Sequence, residues 1–323
     1  MACNLHGGID LHIHTTASDG SHTPNEIIEM AQRLHLRAFS ITDHDTVNGV
    51  KEIITASLPK NLKFVPGIEI SAAAPKSFKF NGSLHLLGYG INPSDNGLNE
   101  LIVLLHQSRD HRIPRIMDRL SQLGIHLSMA EIKRKAGKSV LGRPHIAKAM
   151  VANGYVNSVN DAFDRFLGKR KPAYVDKFRI SCQKAIKVIE SAGGIAVLAH
   201  PFLIDQNFKK IEQLMEMLIP FGLGGIECFY PEHPKTAISF YKSLAKRKGL
   251  LITGGTDFHG SNIRPGIQLG SAKGKFYIPY ALYRQLEARL KNHQINSPNH
   301  QLNAKLKQRL YNASNIKYGD IRL

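Results

Sequence analysis

A chain of 323 residues, 42% hydrophobic and 21% charged, can bury a sizeable core in one large domain or two smaller ones, which excludes disordered and collagenous classes. Its longest apolar runs, such as residues 101–105, fall far short of the roughly 18 residues of a spanning helix, and residues 1–8 resemble no secretory signal, so a cytoplasmic protein without a membrane span is expected. Forty-three Lys and Arg against 25 Asp and Glu give +18, a balance suited to a polyanion such as nucleic acid, a nucleotide or an acidic membrane surface, or simply to a basic surface.

In chain order, residues 9–14 read as a strand and Thr23-Pro24 opens a helix to about residue 34. A strand over 38–42, a helix over 47–57 and a strand over 62–71 follow, then a hairpin over 78–90 turning at Asn81-Gly82. From about 98 to 172 helical periodicity takes over. Between Leu101 and Lys171, 14 Lys and Arg stand against 5 Asp and Glu, so half of the net charge lies in under a quarter of the chain. Strands over 194–199, 225–229 and 250–253 then alternate with helices over 208–218 and 235–248. The division expected is a strand-and-helix body over 1–97 and 173–290, a basic helical insert over 98–172, and a basic C-terminal extension over 291–323.

The three cysteines, Cys3, Cys182 and Cys228, form no Cys-x-x-Cys pair, so any metal must be held by nitrogen and oxygen. Alternation along residues 9–14 puts Asp10, His12 and His14 on one face, where two imidazoles suit cis ligands of one ion and Asp10 could orient one of them. Asp43-His44-Asp45, Glu69, His200 and Asp257-Phe258-His259 each stand at or just after the end of an apolar run. In a parallel barrel or open sheet such positions converge on one mouth. His35, His106, His111, His126, His293 and His300 lie elsewhere and read as ordinary surface or core residues.

Asp10-Leu11-His12-Ile13-His14, Ser18-Asp19-Gly20, Thr42-Asp43-His44-Asp45, Gly67-Ile68-Glu69, His85, Ala199-His200-Pro201 and Asp257-Phe258-His259-Gly260, in this order, resemble the polymerase and histidinol phosphatase (PHP) family of metallophosphoesterases. The resemblance implies a distorted seven-stranded β/α barrel with two to three divalent ions at its mouth, manganese first, with iron or zinc as alternatives. It also implies their ligands: His12, His14, Glu69 and Asp257 on one ion, Asp19, His44 and His259 on a second, and Glu69, His85 and His200 on a third. Such a set implies attack on phosphorus by a metal-activated hydroxide, with Asp45 or His233 offered as the acid for the leaving group. Asp43 and Asp45 could instead orient neighbouring imidazoles.

Within the insert, Leu141-Gly142-Arg143-Pro144-His145 and Gly168-Lys169-Arg170-Lys171-Pro172 resemble a bacterial subgroup of nucleoside 3′,5′-bisphosphate phosphatases and 5′-to-3′ exoribonucleases. The function implied is release of mononucleotides from 5′-phosphorylated RNA and removal of the 3′-phosphate from nucleoside bisphosphates. Arg143, His145 and Arg264 are the candidates for gripping substrate phosphate. Arg109, Arg112, Arg115 and Arg119, like Lys169 to Lys171, read equally well as solvated faces, and most of Tyr155, Phe163, Phe166 and Tyr174 have the spacing of core residues. The partner is then an RNA or nucleotide substrate, with no membrane and no required protein. The alternatives are a phosphatase of the histidinol phosphate type and a nucleic-acid-binding module of the same fold without catalysis.

Overall fold

The computed structural model describes residues 8–80, 82–136, 141–176, 178–272 and 276–296. Its strands are β1 (Ile9–Ile13), β2 (Ala38–Ile41), β3 (Lys63–Ala73), β4 (Leu84–Tyr89), β5 (Ile180–Ser181), β6 (Ile195–Leu198), β7 (Leu223–Phe229) and β8 (Leu251–Gly254). Seven of them form one curled sheet in the order β1-β2-β3-β4-β6-β7-β8, with β5 pairing the end of β3. Pairing is parallel throughout except at β4, which runs antiparallel to both β3 and β6. A parallel bridge between Ile13 and Phe258 brings the ends of β1 and β8 together, with the His14 N–H donating to the Phe258 carbonyl at 2.8 Å. This is the distorted α/β barrel expected. The antiparallel partner of β4 is β3, from Gly67 opposite Tyr89 to Ala72 opposite Leu84, so the hairpin expected within 78–90 is not formed. Phe78 and Phe80 pack against the core instead of pairing, and Asn81 lies outside the described residues.

The first helices are α1 (Pro24–Arg33), α2 (Asn48–Thr55) and α3 (Asn96–Asp110). α1 starts where its sequence demands: the Thr23 hydroxyl accepts the Glu26 N–H, the Glu26 carboxylate accepts the Thr23 N–H, and Pro24 occupies a position that needs no donor. Four further helices, α4 (Arg112–Gln122), α5 (Met129–Ala136), α6 (Arg143–Ala152) and α7 (Val159–Ala162), end in a π-turn over Phe163–Leu167. They gather around a core of their own, built on Ile113, Ile116, Leu120, Ile132, Ile146 and Met150. α3 is different: it lays Leu98, Leu101, Ile102 and Leu105 into the main core.

The remaining helices are α8 (Cys182–Ser191), α9 (Pro201–Ile204), α10 (Phe208–Leu218), α11 (Lys235–Lys248) and α12 (Tyr280–Asn296), with a small antiparallel pair, β9 (Ile267–Gln268) and β10 (Ser271–Ala272), before α12. One apolar layer joins the sheet to α1, α2, α3, α8, α10 and α11; a second joins Ile9, Leu11, Val65, Leu87, Tyr89 and Val197 to Leu282, Tyr283, Leu286 and Leu290 of α12. Each fully buried aliphatic chain contributes roughly 1.5–3 kcal/mol. Residues 291–296 continue α12, and the rest of the C-terminal extension, 297–323, lies outside the described residues.

Barrel closure depends on a bare glycine. A Cβ on Gly255 would lie 2.2 Å from the His12 Cβ and 2.4 Å from the His12 backbone nitrogen, atoms of the fully buried strand β1. Gly255→Ala is expected to cost about 1–3 kcal/mol through overpacking, read as a lower urea midpoint at unchanged slope. An unshifted midpoint would mean that β1 and β8 separate more easily than their bridge implies.

Candidate metal centre

Three of the five described non-glycine residues with positive φ stand at strand ends of the barrel: Asp45 (φ 54°), His200 (φ 25°) and Asp257 (φ 53°). Left-handed backbone costs of order 1–3 kcal/mol at a residue with a Cβ and persists only where surrounding contacts hold it. Here the contacts are polar. The Asp45 N–H donates to the Glu69 carbonyl, the Ser71 N–H donates to Asp45 Oδ1 at 2.9 Å, and the His200 N–H donates to Glu227 Oε2 at 2.8 Å.

All nine residues expected to bind metal come together. Glu69, buried in mid-strand, is the hub. Its Oε1 meets His85 Nδ1 at 3.0 Å and His200 Nε2 at 3.1 Å, and its Oε2 meets His44 Nδ1 at 3.0 Å, His14 Nε2 at 3.2 Å and His12 Nε2 at 3.4 Å. Asp257 Oδ1 lies 3.1 Å from His14 Nε2 and 3.4 Å from His12 Nε2. At the exposed rim, Asp19 Oδ1 lies 3.4 Å from both His14 Nδ1 and His259 Nε2, and the His14 and His259 rings stack at 4.0 Å. Among the described residues, three groups have donor atoms within 4.8 Å of one another: His12, His14, Glu69 and Asp257; His14, Asp19, His44 and His259; and His44, Glu69 and His85.

The donor set fits divalent cations on its own geometry. His12 Nδ1 sits 3.0 Å from Glu227 Oε1, and its Nε2 faces Glu69 and Asp257 with no hydrogen-bond partner among the described residues. His259 Nδ1 donates to the Asp257 carbonyl at 2.8 Å, so its Nε2 points at Asp19 with a free lone pair. Fixing one ring nitrogen on an acceptor to free the other is how proteins prepare an imidazole as a ligand. Burial opposes charge on His12, but Glu227, Asp257 and Glu69 outweigh it and hold its pKa well above 6.5. His14 is held high in the same way, against its burial, by Asp19, Asp257 and Glu69. Burial likewise opposes ionisation of Glu69, yet His44, His85 and His12 keep its carboxyl well below the usual range. The site demands positive charge.

Several expected roles change. Asp10 orients no imidazole: it accepts the N–H groups of His12 (3.2 Å), Thr256 (2.9 Å) and Gly270 (2.8 Å) together with the Thr256 hydroxyl, tying β1 to the far end of the chain. Thr256 and Gly270 take up the carboxylate oxygens that an imidazole would have needed. Asp43 accepts from the Thr15 N–H at 2.7 Å and from the Thr15 and Ser18 hydroxyls, fixing the loop that carries Asp19. Asp45 stitches β2 to β3. His233 is pushed to about 4 by burial, which favours the neutral ring, and its Nδ1 faces the Cys228 carbonyl at 2.9 Å.

Arg264 is committed to Asp257 Oδ2 at 2.6 Å and to the Tyr230 hydroxyl at 3.2 Å, and so steadies a cluster carboxylate in place of a phosphate. Sequence reasoning missed Tyr230, whose hydroxyl donates to Asp257 Oδ2 at 3.0 Å, and Glu227, which holds both His12 and the His200 backbone. The available signal for Glu227 was a lone carboxylate inside an apolar strand.

Beside the cluster lies a cavity of about 310 Å³. Asp19, His44 and His85 of the barrel line it together with Arg112, Arg143 and His145 of the insert and with Arg179. Gly142-Arg143-Pro144 is set by its own helix start, where the Gly142 N–H donates to His145 Nδ1 at 3.1 Å. Arg112 and Arg143 are half-buried; burial and then Arg143's charge lower Arg112 to about 10, still protonated at neutral pH.

Residues 10–168 match the PHP domain family. The chain is 29% identical over 290 residues to a 3′,5′-nucleoside bisphosphate phosphatase of Chromobacterium violaceum, covering 87% of this chain and 97% of that one. It is 30% identical over 274 residues to the 5′-3′ exoribonuclease Rnm of Escherichia coli, covering 84% and 89%. Among solved structures, a Bifidobacterium adolescentis protein described as a metal-dependent phosphoesterase superposes with a TM-score of 0.72 at 28% identity, over 88% of this chain and 96% of that one. Among the described residues no helix is long and apolar enough to cross a membrane. With its histidines and carboxylates gathered at the barrel mouth, the chain belongs to the PHP family and is a metal-dependent hydrolase of phosphoric esters.

Proposed function

We propose that the enzyme hydrolyses the 3′ phosphoester of 5′-phosphorylated nucleotides, removing the 3′-phosphate of nucleoside 3′,5′-bisphosphates and releasing mononucleotides stepwise from the 5′ end of RNA. What supports this is the two-walled cavity. A phosphate destined for cleavage belongs at the donor cluster, and a second phosphate on the same nucleotide faces Arg143, Arg112 and Arg179. At about 310 Å³ the space lies at the small end of ligand pockets, which suits one nucleotide. A phosphatase of the histidinol phosphate type has no use for the second cationic wall, and a module that only binds has no use for nine assembled donors.

His12, His14, Glu69 and Asp257 would hold one ion, Asp19, His44 and His259 a second, and Glu69, His85 and His200 a third. Such ions, manganese first and iron or zinc as alternatives, would supply Lewis acidity toward phosphoryl oxygens and water. The chain's own groups do the rest. Glu227 fixes the His12 tautomer, and Tyr230 and Arg264 hold Asp257 in place. Arg143, anchored by one nitrogen on the Leu167 carbonyl at 2.8 Å, offers the remainder of its planar fork to the 5′-phosphate. α4 to α7 form the roof that carries this grip.

Digestion of 5′-phosphorylated and 5′-hydroxyl RNA side by side with added Mn²⁺ should release mononucleotides from the 5′ end of the first and spare the second. Arg143→Ala should lower kcat/KM on the phosphorylated RNA about 30- to 150-fold, the value of a charge-assisted contact of about 2–3 kcal/mol, and erase the preference between ends. Unchanged turnover would remove Arg143 from the grip. Metal loading supplies an independent check. The surrounding carboxylates favour the protonated forms of His12 and His14, so an incoming ion competes with protons and affinity should rise with pH, by about a decade per pH unit for each proton released. Calorimetric titration of Mn²⁺ into metal-free enzyme in two buffers of different ionisation enthalpy measures that release; equal heats would contradict it.

A further inference from the structure

A second, larger groove of about 930 Å³ lies against the metal cavity and shares Ser83, Arg143 and Arg179 with it. Ser83 stands two residues before His85 and lines both spaces, so the groove opens beside the cavity that holds the donor His85. We propose that this groove carries the body of the RNA strand beyond the nucleotide being released, with bases stacked on Phe78, Phe80 and Phe163 and phosphates met by Lys79, Lys169 and Arg170. The inference rests on the nucleotide reading given above and adds to it the site that separates a polynucleotide from a mononucleotide.

Its walls combine what unspecific single-strand binding uses, aromatic planes and cations along one channel. The Phe78 and Phe80 rings already lie stacked at 5.2 Å with planes 15° apart, and both remain only partly buried, so a base can extend the stack. Across the groove, Phe163 packs beneath Arg143 at 5.4 Å. Lys79, Lys169 and Arg170 are exposed and have no acidic partner among the described residues. Asp176, an acid on the lining, is engaged by the Tyr174 hydroxyl at 2.8 Å and by Arg179 at 3.9 Å. Arg170 is also costly to place. It sits at φ 67° in a turn closed by the Lys171 N–H on the Gly168 carbonyl, a conformation glycine adopts without strain. A long cation held there at the rim is explained by an anion outside the protein.

The test compares a ten-nucleotide 5′-phosphorylated RNA with adenosine 3′,5′-bisphosphate. For a Lys79→Ala, Lys169→Ala, Arg170→Ala triple variant, kcat/KM on the decamer should fall at least about tenfold and its salt slope should flatten by about 2, from about 0.7 per phosphate contact. Phe80→Leu, which keeps an apolar contact with the core but loses the stacking plane, should cost about fivefold or more on the decamer. Both variants should hydrolyse the bisphosphate like wild type. An unaffected decamer, or parallel losses on both substrates, would overturn the groove assignment. Should wild type cleave neither substrate, the nucleotide reading fails by itself, and anisotropy of labelled decamer with EDTA present still decides the groove: equal Kd values for wild type and triple variant would sink it.

Discussion

A carboxylate enclosed by five imidazoles governs this molecule. Glu69 is almost completely buried, and an isolated ionised carboxylate at such a depth would neutralise itself rather than remain charged. Its two oxygens instead face His85 and His200 on one side and His12, His14 and His44 on the other, all at 3.0 to 3.4 Å. Those rings come from β1, β4 and the ends of β2 and β6, so compensating one charge requires the sheet to curl until its strand ends meet. The left-handed backbone at His200 and Asp257 and the bare Gly255 against His12 are local costs of that convergence. The two apolar layers on either side of the sheet offset them.

How much of this can be read from the chain depends on whether a residue's neighbours announce its role. His44, His200 and Asp257 each follow an apolar run directly, and in a parallel sheet that position alone fixes where the side chain goes. Glu227 has no such marker beyond its own charge in a buried strand, and its partner His12 lies 215 residues away. Asp10 misleads for the opposite reason: alternation assigned it to the imidazoles, but donors from distant Thr256 and Gly270 occupy its oxygens. The hairpin expected at Asn81-Gly82 had the right residues for a turn, and long-range pairing of β4 with β3 and β6 took precedence.

Arginines are the least legible class, since a guanidinium on a helix looks alike whether it faces water or an anion. Arg112 read equally well as part of a solvated face, yet it lines the cavity, while Arg264, marked for phosphate by its closeness to His259, is spent on Asp257. What separates them is the partner. Two carboxylates, Asp257 at 2.6 Å and Glu232 at 2.5 Å, engage Arg264. Among the described residues Arg112 and Arg143 hydrogen-bond to backbone carbonyls, of Val175 and Leu167, both at 2.8 Å, and no carboxylate pairs with them.

That anchoring explains why the two walls of the cavity do not collapse onto each other. Asp19 stands exposed at the rim, opposite a row of cations, and long side chains free to move would cross the gap and pair with it. A carbonyl neutralises no charge, but it fixes the direction of the guanidinium and so removes the entropy a substrate would otherwise have to overcome. The insert's separate apolar core holds those carbonyls in place, because Leu167 and Val175 are buried in it together with the apolar faces of α4 and α6. Arginines held apart from the carboxylates of the donor cluster stay available to an anion from outside. The same rigidity that denies the opposite charges each other is what leaves them so.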